Sequence, residues 1–352
     1  MKLSSSMIAS YPIKKYPMKI AVLAPVAWRT PPRHYGPWEQ MASNLCEGLV
    51  KAGVEVTLFA TGDSLTAGKL DYIIEKGYEE DRSQDAKVLE CLHISHLMEK
   101  ADSFDLIHNH FDFLPLTYSR LINTPMVTTI HGFSSEKIVR VYKKYNATSH
   151  YVSISDANRH PDLHYAATIY NGLDSGNFTF KQEAEEYLLF FGRLHPDKGV
   201  AEAIEIAKKS NRKLKIAGII QDEHYFKTAI EPHFNEQITF LGAAGPEQRN
   251  ELLGNAYALL HPISFAEPFG LSVAEAMLCG TPVIAFNKGS MPELINHGTT
   301  GFLVDNIEEA VEAVAKIPTI NREICREWAL SKFTKEKMVE GYLALYHQLL
   351  NS

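Results

Sequence analysis

A chain of 352 residues, 45% apolar and 22% charged, is long enough for two buried cores and has the composition of a globular protein that folds in water. The formal net charge of −7 argues against broad binding to nucleic acid or to an anionic membrane surface. Four scattered cysteines, Cys46, Cys91, Cys279 and Cys325, contain no C-x-x-C pair, which argues against a disulfide framework or a zinc knuckle and fits reduced thiols in the cytoplasm. Residues 1–17 hold only short apolar stretches, without a signal-peptide h-region, and read as a flexible N-terminal extension ahead of Met18.

The predicted elements then alternate. Lys19–Ala24 reads as a buried strand, followed by a loop rich in Pro, Arg and Gly and a helix from Trp38 to Ala52. Further apolar strands are expected at Val54–Ala60, Leu106–His110, Met126–Ile130 and Tyr151–Ile154. Ile138–Lys144 is a short basic helix candidate that could touch an anionic membrane, with a charged face in water as the favoured reading. The polar stretch Asn171–Glu186 carries no core period and reads as an interdomain linker. The alternation restarts with strand Tyr187–Phe191, helix Gly199–Ser210 and strands Leu214–Ile219, Ile238–Leu241, Ala258–His261 and Val283–Phe286. Phe333–Leu350 places Met338, Tyr342, Tyr346 and Leu350 four apart, as an amphipathic helix does. The fold class is therefore α/β, with two Rossmann-like domains, and ligands are expected at the carboxyl ends of the strands.

Two segments carry chemistry. Glu267-Pro-Phe-Gly-Leu-Ser-Val-Ala-Glu275 separates two carboxylates by seven residues, with Pro268 and Gly270 breaking the chain before a helix that opens near Leu271. The N–H groups of Gly270, Leu271 and Ser272 would be free at that helix start, which favours an anion such as a diphosphate. A carboxylate on each side could accept sugar or ribose hydroxyls. The second segment, Gly192-Arg-Leu-His-Pro-Asp-Lys-Gly199, joins a buried strand to a helix and sets Arg193 and Lys198 where both could reach one phosphate.

These segments, together with Ile169-Tyr-Asn-Gly-Leu-Asp174 and Gly280-Thr-Pro-Val-Ile284, resemble in order the motifs of the retaining glycosyltransferases of family 4. The resemblance runs from Met18 to the C-terminus. It implies the GT-B fold, with two Rossmann-like domains facing a central cleft. The expected boundaries are an acceptor-side domain over 18–175, a donor domain over 176–332 and a C-terminal helix over 333–352 that crosses back to the first domain.

The resemblance also implies roles. Arg193, Lys198, Gly36, Gly270 and Leu271 would hold the donor diphosphate. Glu267, with Phe269 and Gly270, would hold the transferred sugar. Glu275 would hold the ribose, and Leu241 and Gly242 would lie near the base. His131, in Thr129-Ile-His-Gly132, matches the strand-end histidine beside the reacting sugar, and with Glu267 forms the catalytic pair. Two departures from the family pattern stand out. The first loop has Gly36-Pro37 where paired glycines are usual, and Pro37 has no N–H to offer a phosphate. Ser290 stands where a second glycine is common.

The expected reaction transfers a hexosyl group, with retention, from a nucleoside diphosphate sugar of the UDP-glucose or GDP-mannose type to a hydroxyl acceptor. The resemblance implies front-face attack assisted by the leaving phosphate. No cofactor and no metal are expected, because the sequence contains no Asp-x-Asp and the two cations with the helix start can stabilise the leaving charge. Arg29, Arg33 and His34 of the first loop hint at an anionic acceptor, with a solvated loop as the equal alternative. The rival readings are a sugar-nucleotide epimerase, a phosphorylase, a silent sugar-nucleotide binder, or a metal-dependent hydrolase built on His108, His110 and Asp112, which alternate along an expected strand.

Overall fold

The computed structural model describes residues 18–133 and 135–351, so the extension expected over 1–17 lies outside the described residues. The elements run in the order β1 (Lys19–Leu23), α1 (Pro37–Lys51), β2 (Glu55–Phe59), β3 (Lys69–Asp71), α2 (Ala86–Met98), β4 (Leu106–Asn109), β5 (Met126–Ile130), α3 (Val139–Tyr145), β6 (His150–Ser153) and β7 (Tyr165–Thr168). They continue with β8 (Tyr187–Phe191), α4 (Val200–Lys209), β9 (Lys213–Ala217), α5 (Glu223–Tyr225), β10 (Ile238–Phe240), α6 (Pro246–Asn255), β11 (Ala258–His261) and α7 (Leu271–Leu278). The last elements are β12 (Val283–Phe286), α8 (Met291–Leu294), β13 (Gly301–Val304), α9 (Ile307–Lys316), α10 (Arg322–Lys332) and α11 (Lys335–Leu350).

The strands form two parallel sheets, a seven-stranded one in the order β3-β2-β1-β4-β5-β6-β7 and a six-stranded one in the order β10-β9-β8-β11-β12-β13. Both orders reverse direction next to a central strand, β1 or β8, which is the doubly wound arrangement with a ligand crevice at the carboxyl ends. The continuous apolar runs explain the burial. In β1, Ile20 to Leu23 are all buried after an exposed Lys19, as a strand covered on both faces requires.

By packing, the chain divides into two compact units. Of the described residues, the first holds those of 18–128, Ala147–His150 and 340–351; the second holds those of Thr129–Asn146 and Tyr151–Val339. In the first unit, Leu45 and Leu49 of α1 and Leu58 and Phe59 of β2 are fully buried. In the second, Leu188, Phe190, Leu214 and Ile216 pack with Val200 and Ile204 of α4 and with Ala310 and Val314 of α9.

Three short strands escape the sequence pattern. β3, β7 and β13 have three or four residues each and close sheet edges, where a run is too short to show a period. The polar stretch Asn171–Glu186, read as an interdomain linker, makes specific contacts. Leu173 donates from its N–H to the Phe333 carbonyl at 2.8 Å and accepts from the Lys335 N–H at 2.7 Å, while Lys335 Nζ reaches Asp174 at 2.6 Å. Phe178 is buried as well. In the first unit, Tyr346 of α11 meets His108 Nδ1 through its hydroxyl at 2.5 Å, and Tyr342 packs on the same ring at 4.7 Å between centroids. No helix of the described residues is long and apolar enough to cross a membrane.

Candidate functional site

The two motif segments meet in the second unit. Lys198 closes the loop after β8, and Gly199 follows in the left-handed region at φ 77°. A Cβ on Gly199 would lie 1.9 Å from the Pro262 carbonyl oxygen, so only glycine lets the start of α4 press against the loop that leaves β11. That approach brings Lys198 Nζ to 2.5 Å from Glu267 Oε2, with the two side chains only 14% and 13% exposed. The ammonium also sits over the Phe265 ring at 4.6 Å.

Glu267 is pinned from its other side. Gly289, at φ 56°, has no room for a side chain, because a Cβ would fall 2.3 Å from the Glu267 nitrogen. The next residue uses its side chain. Ser290 donates from its N–H to the Glu267 carbonyl at 3.0 Å and from its hydroxyl to the Phe269 carbonyl at 2.7 Å. Ser290 therefore braces the loop carrying Glu267.

Gly270 caps α7 with no side-chain hydrogen bond, and Leu271 is the first helical residue. The opening N–H groups of a helix have no intrahelical partner and present a positive end. Phe269 is buried immediately before it. Glu275, five residues into α7, is buried and accepts from Arg249 Nη1 of α6 at 3.1 Å. Burial pushes the Glu275 carboxyl up, and the Arg249 charge offsets this in part. Arg249 was not singled out in the sequence, since nothing in the spacing ties α6 to Glu275.

Arg193 and Lys198 hold different partners. The Arg193 guanidinium donates to the Gln221 side-chain oxygen, while Lys198 binds Glu267. Leu241 is exposed just after β10, and Gly242 accepts from the Gly218 N–H at 2.9 Å.

His131 follows β5 directly and is 8% exposed. Burial pushes its imidazole down to about 3, so the ring is neutral near pH 7 and can serve as a hydrogen-bonding group but not as a fixed cation. Beside it, a Cβ on Gly132 would lie 3.3 Å from Pro268 Cγ, and the Ser155 hydroxyl donates to the Pro268 carbonyl at 2.6 Å. Glu293 of α8 accepts from the N–H groups of Asp156 and Ala157 at 2.9 and 2.8 Å and from the Tyr170 hydroxyl at 3.1 Å. These contacts tie the His131 and Glu267 loops into one packed unit.

The first loop belongs to the first unit. Gly36 caps α1 and Pro37 takes its first position, where a missing N–H costs nothing. Glu39, in the same first turn, is buried, and burial pushes its carboxyl up to about 7 against the pull of backbone N–H groups at Glu39 and Trp28. Arg33 is engaged by Glu80 at 2.9 Å and Asp63 at 3.2 Å, and Arg29 Nε donates to the Pro31 carbonyl at 2.9 Å. His34 is exposed.

The rival reading of a metal-ligand strand at His108, His110 and Asp112 requires correction. β4 ends at Asn109, so His110 and Asp112 lie beyond it; the His110 ring packs on the His108 ring at 4.2 Å between centroids, while His108 Nδ1 meets the Tyr346 hydroxyl. The Asn109 side chain folds this turn back by accepting from the Phe111 N–H at 2.9 Å and donating to the Asp112 carbonyl at 2.8 Å. Among the described residues, no group of three or more His, Cys, Asp or Glu is arranged to hold a metal ion.

Comparisons with known proteins agree with the fold. A family model described as Glycosyl transferases group 1 matches residues 176–329, and one described as Glycosyltransferase Family 4 matches residues 39–175. An uncharacterized glycosyltransferase of Methanocaldococcus jannaschii is 26% identical over 339 residues, covering 82% of this chain and 85% of its own. The N-acetyl-alpha-D-glucosaminyl L-malate synthase of Bacillus anthracis is 30% identical over 186 residues, and there the match spans about half of each chain, 48% and 47%. Among solved structures, a sucrose-phosphate synthase of Thermosynechococcus elongatus superposes with a TM-score of 0.74 at 20% identity, covering 95% of this chain and 99% of that one. HepE of Anabaena, solved in complex with UDP-glucose, gives a TM-score of 0.69 at 18% identity over 95% and 100% of the two chains. At these identities the structural likeness establishes the fold alone.

Proposed function

Because the chain belongs to the family 4 glycosyltransferases of GT-B fold, we propose that it moves a hexosyl group, with retention, from a nucleoside diphosphate sugar to a hydroxyl acceptor. The donor is of the UDP-glucose or GDP-mannose type, a reading supported by the UDP-glucose bound to HepE. The observation that carries the proposal is the contact between Lys198 and Glu267 beside the open start of α7.

Breaking the bond between sugar and phosphate develops negative charge on the diphosphate, and catalysis requires positive groups fixed where that charge appears. Lys198, Arg193 and the N–H groups at Gly270 and Leu271 supply them from this chain's own residues, which makes a metal ion dispensable. Glu267, with the backbone around Phe269, accepts sugar hydroxyls. Glu275 accepts the ribose hydroxyls, and Leu241 and Gly242 border the base. Neutral His131 hydrogen-bonds the reacting sugar. The acceptor hydroxyl attacks the face from which the phosphate leaves and passes its proton to that phosphate, so no covalent sugar on Glu267 is required.

The test is a screen of UDP, GDP and ADP sugars in excess chelator, with the anomeric configuration of the product read by NMR. Transfer with retention in chelator supports the reading. An inverted product overturns the stereochemistry, and activity abolished by chelator and restored by magnesium overturns the metal-free account.

A further inference from the structure

His261 is the last residue of β11, and its side chain is 7% exposed. Its Nε2 is buried without a hydrogen-bond partner. That nitrogen lies 3.7 Å from Glu267 Oε2, the same carboxylate oxygen that Lys198 Nζ holds at 2.5 Å. Leaving a ring nitrogen unpaired in a buried site is destabilising, and an apolar side chain would fill the end of this buried strand without that cost.

We infer that His261 is a positioning residue for Glu267, its Nε2 kept unpartnered to take the carboxylate when a diphosphate draws Lys198 away. This rests on the proposed donor reaction. Lys198 has one compact charge, and a diphosphate carries more negative charge than Glu267 does. Once the ammonium turns to the diphosphate, Glu267 is a buried carboxylate that has lost its counter-charge while it must still accept sugar hydroxyls. A neutral imidazole with its proton on Nε2 can donate to Oε2 after a shift of under about 1 Å. Burial, with Lys198 acting in the same direction and Glu267 opposing, pushes the His261 imidazole down to about 4, so the ring is the neutral donor this exchange needs. The carboxylate thus has one partner before the donor arrives and another after.

Two measurements test this. The first needs no donor: Lys198→Met removes the ammonium, and proton NMR of the full chain then looks for a slowly exchanging, downfield Nε2–H signal from His261. The expected result is that the signal appears in K198M and is lost in K198M/E267M, which has no acceptor oxygen at that point. Its absence from K198M overturns the proposal whether or not the chain transfers sugar. The second uses UDP-glucose and GDP-mannose turnover. His261→Phe should lower kcat about 10- to 100-fold, as loss of an orienting partner does. Donor KM should stay within about threefold, and His261→Gln, which places an amide N–H near the same point, should restore most of kcat. Thermal melts establish that both variants fold. A folded H261F with wild-type kcat overturns the inference, whereas a wild type that turns over no sugar nucleotide overturns the proposed function and leaves the NMR result to decide on His261.

Discussion

Lys198 and Glu267 are 69 residues apart in the chain, yet Nζ and Oε2 stand 2.5 Å apart, so the cation proposed to meet phosphate and the carboxylate proposed to meet sugar are one coupled pair. Lys198→Ala and Glu267→Gln should each lower kcat/KM on the order of 100-fold or more, the scale seen when a preorganised charge is removed. Because the two act as a unit, the double variant should fall far short of the product of the single losses. A double-mutant cycle on initial rates checks this, and strictly multiplicative losses would mean that the two groups act independently.

Arg249 and Glu275 form a second pair, a buried carboxylate beside a half-buried guanidinium. Arg249→Met leaves Glu275 without its counter-charge and should reduce stability by roughly 3 kcal/mol, measured by urea unfolding. The Glu275 carboxyl is already pushed up by burial, and losing Arg249 drives it further up. The folded variant then holds a proton that the unfolded chain releases. The deficit should therefore shrink as the pH falls toward the ordinary carboxylate range and grow as the pH rises. A deficit that does not change with pH would mean that packing, and not charge, is what Arg249 supplies.

Glu39 sets a pH slope in the first unit. Its carboxyl rises from 4.5 to about 7, so the folded chain keeps a proton that the unfolded chain loses. The stabilising contribution is complete below pH 4.5 and is lost as the pH rises through about 7, a change of ~3 kcal/mol at 1.36 kcal/mol per unit. Glu39→Gln should flatten that part of the stability profile, which unfolding curves at several pH values will show.

His131 acts in the opposite sense. Its imidazole falls from 6.5 to about 3, so its contribution to stability is complete above pH 6.5 and is lost as the pH falls through about 3. His131→Ala should lower kcat by about 100-fold, within the range for a positioned hydrogen-bonding side chain. NMR of the ring should find it neutral throughout the range in which the enzyme works, and an imidazolium there would contradict a neutral hydrogen-bonding role.

The alternation of strands and helices was legible in the sequence because buried parallel strands such as Ile20–Leu23 and Leu188–Phe190 are unbroken apolar runs. The two motif segments were legible because Gly199 and Gly270 break the chain at fixed points next to charged residues. The pairing of those residues was not. No spacing links Lys198 with Glu267, or Arg249 with Glu275; both pairs depend on how loops from different strands pack, as where the Gly199 backbone closes on Pro262. His261 and Glu39 show the same limit. Each is a common residue type at a strand end or in a helix's first turn, and only burial turns one into an unpartnered imidazole and the other into a carboxyl that titrates near neutrality. Local patterns determine elements because they act over a few residues, whereas desolvation and ion pairing arise only when distant segments exclude water together.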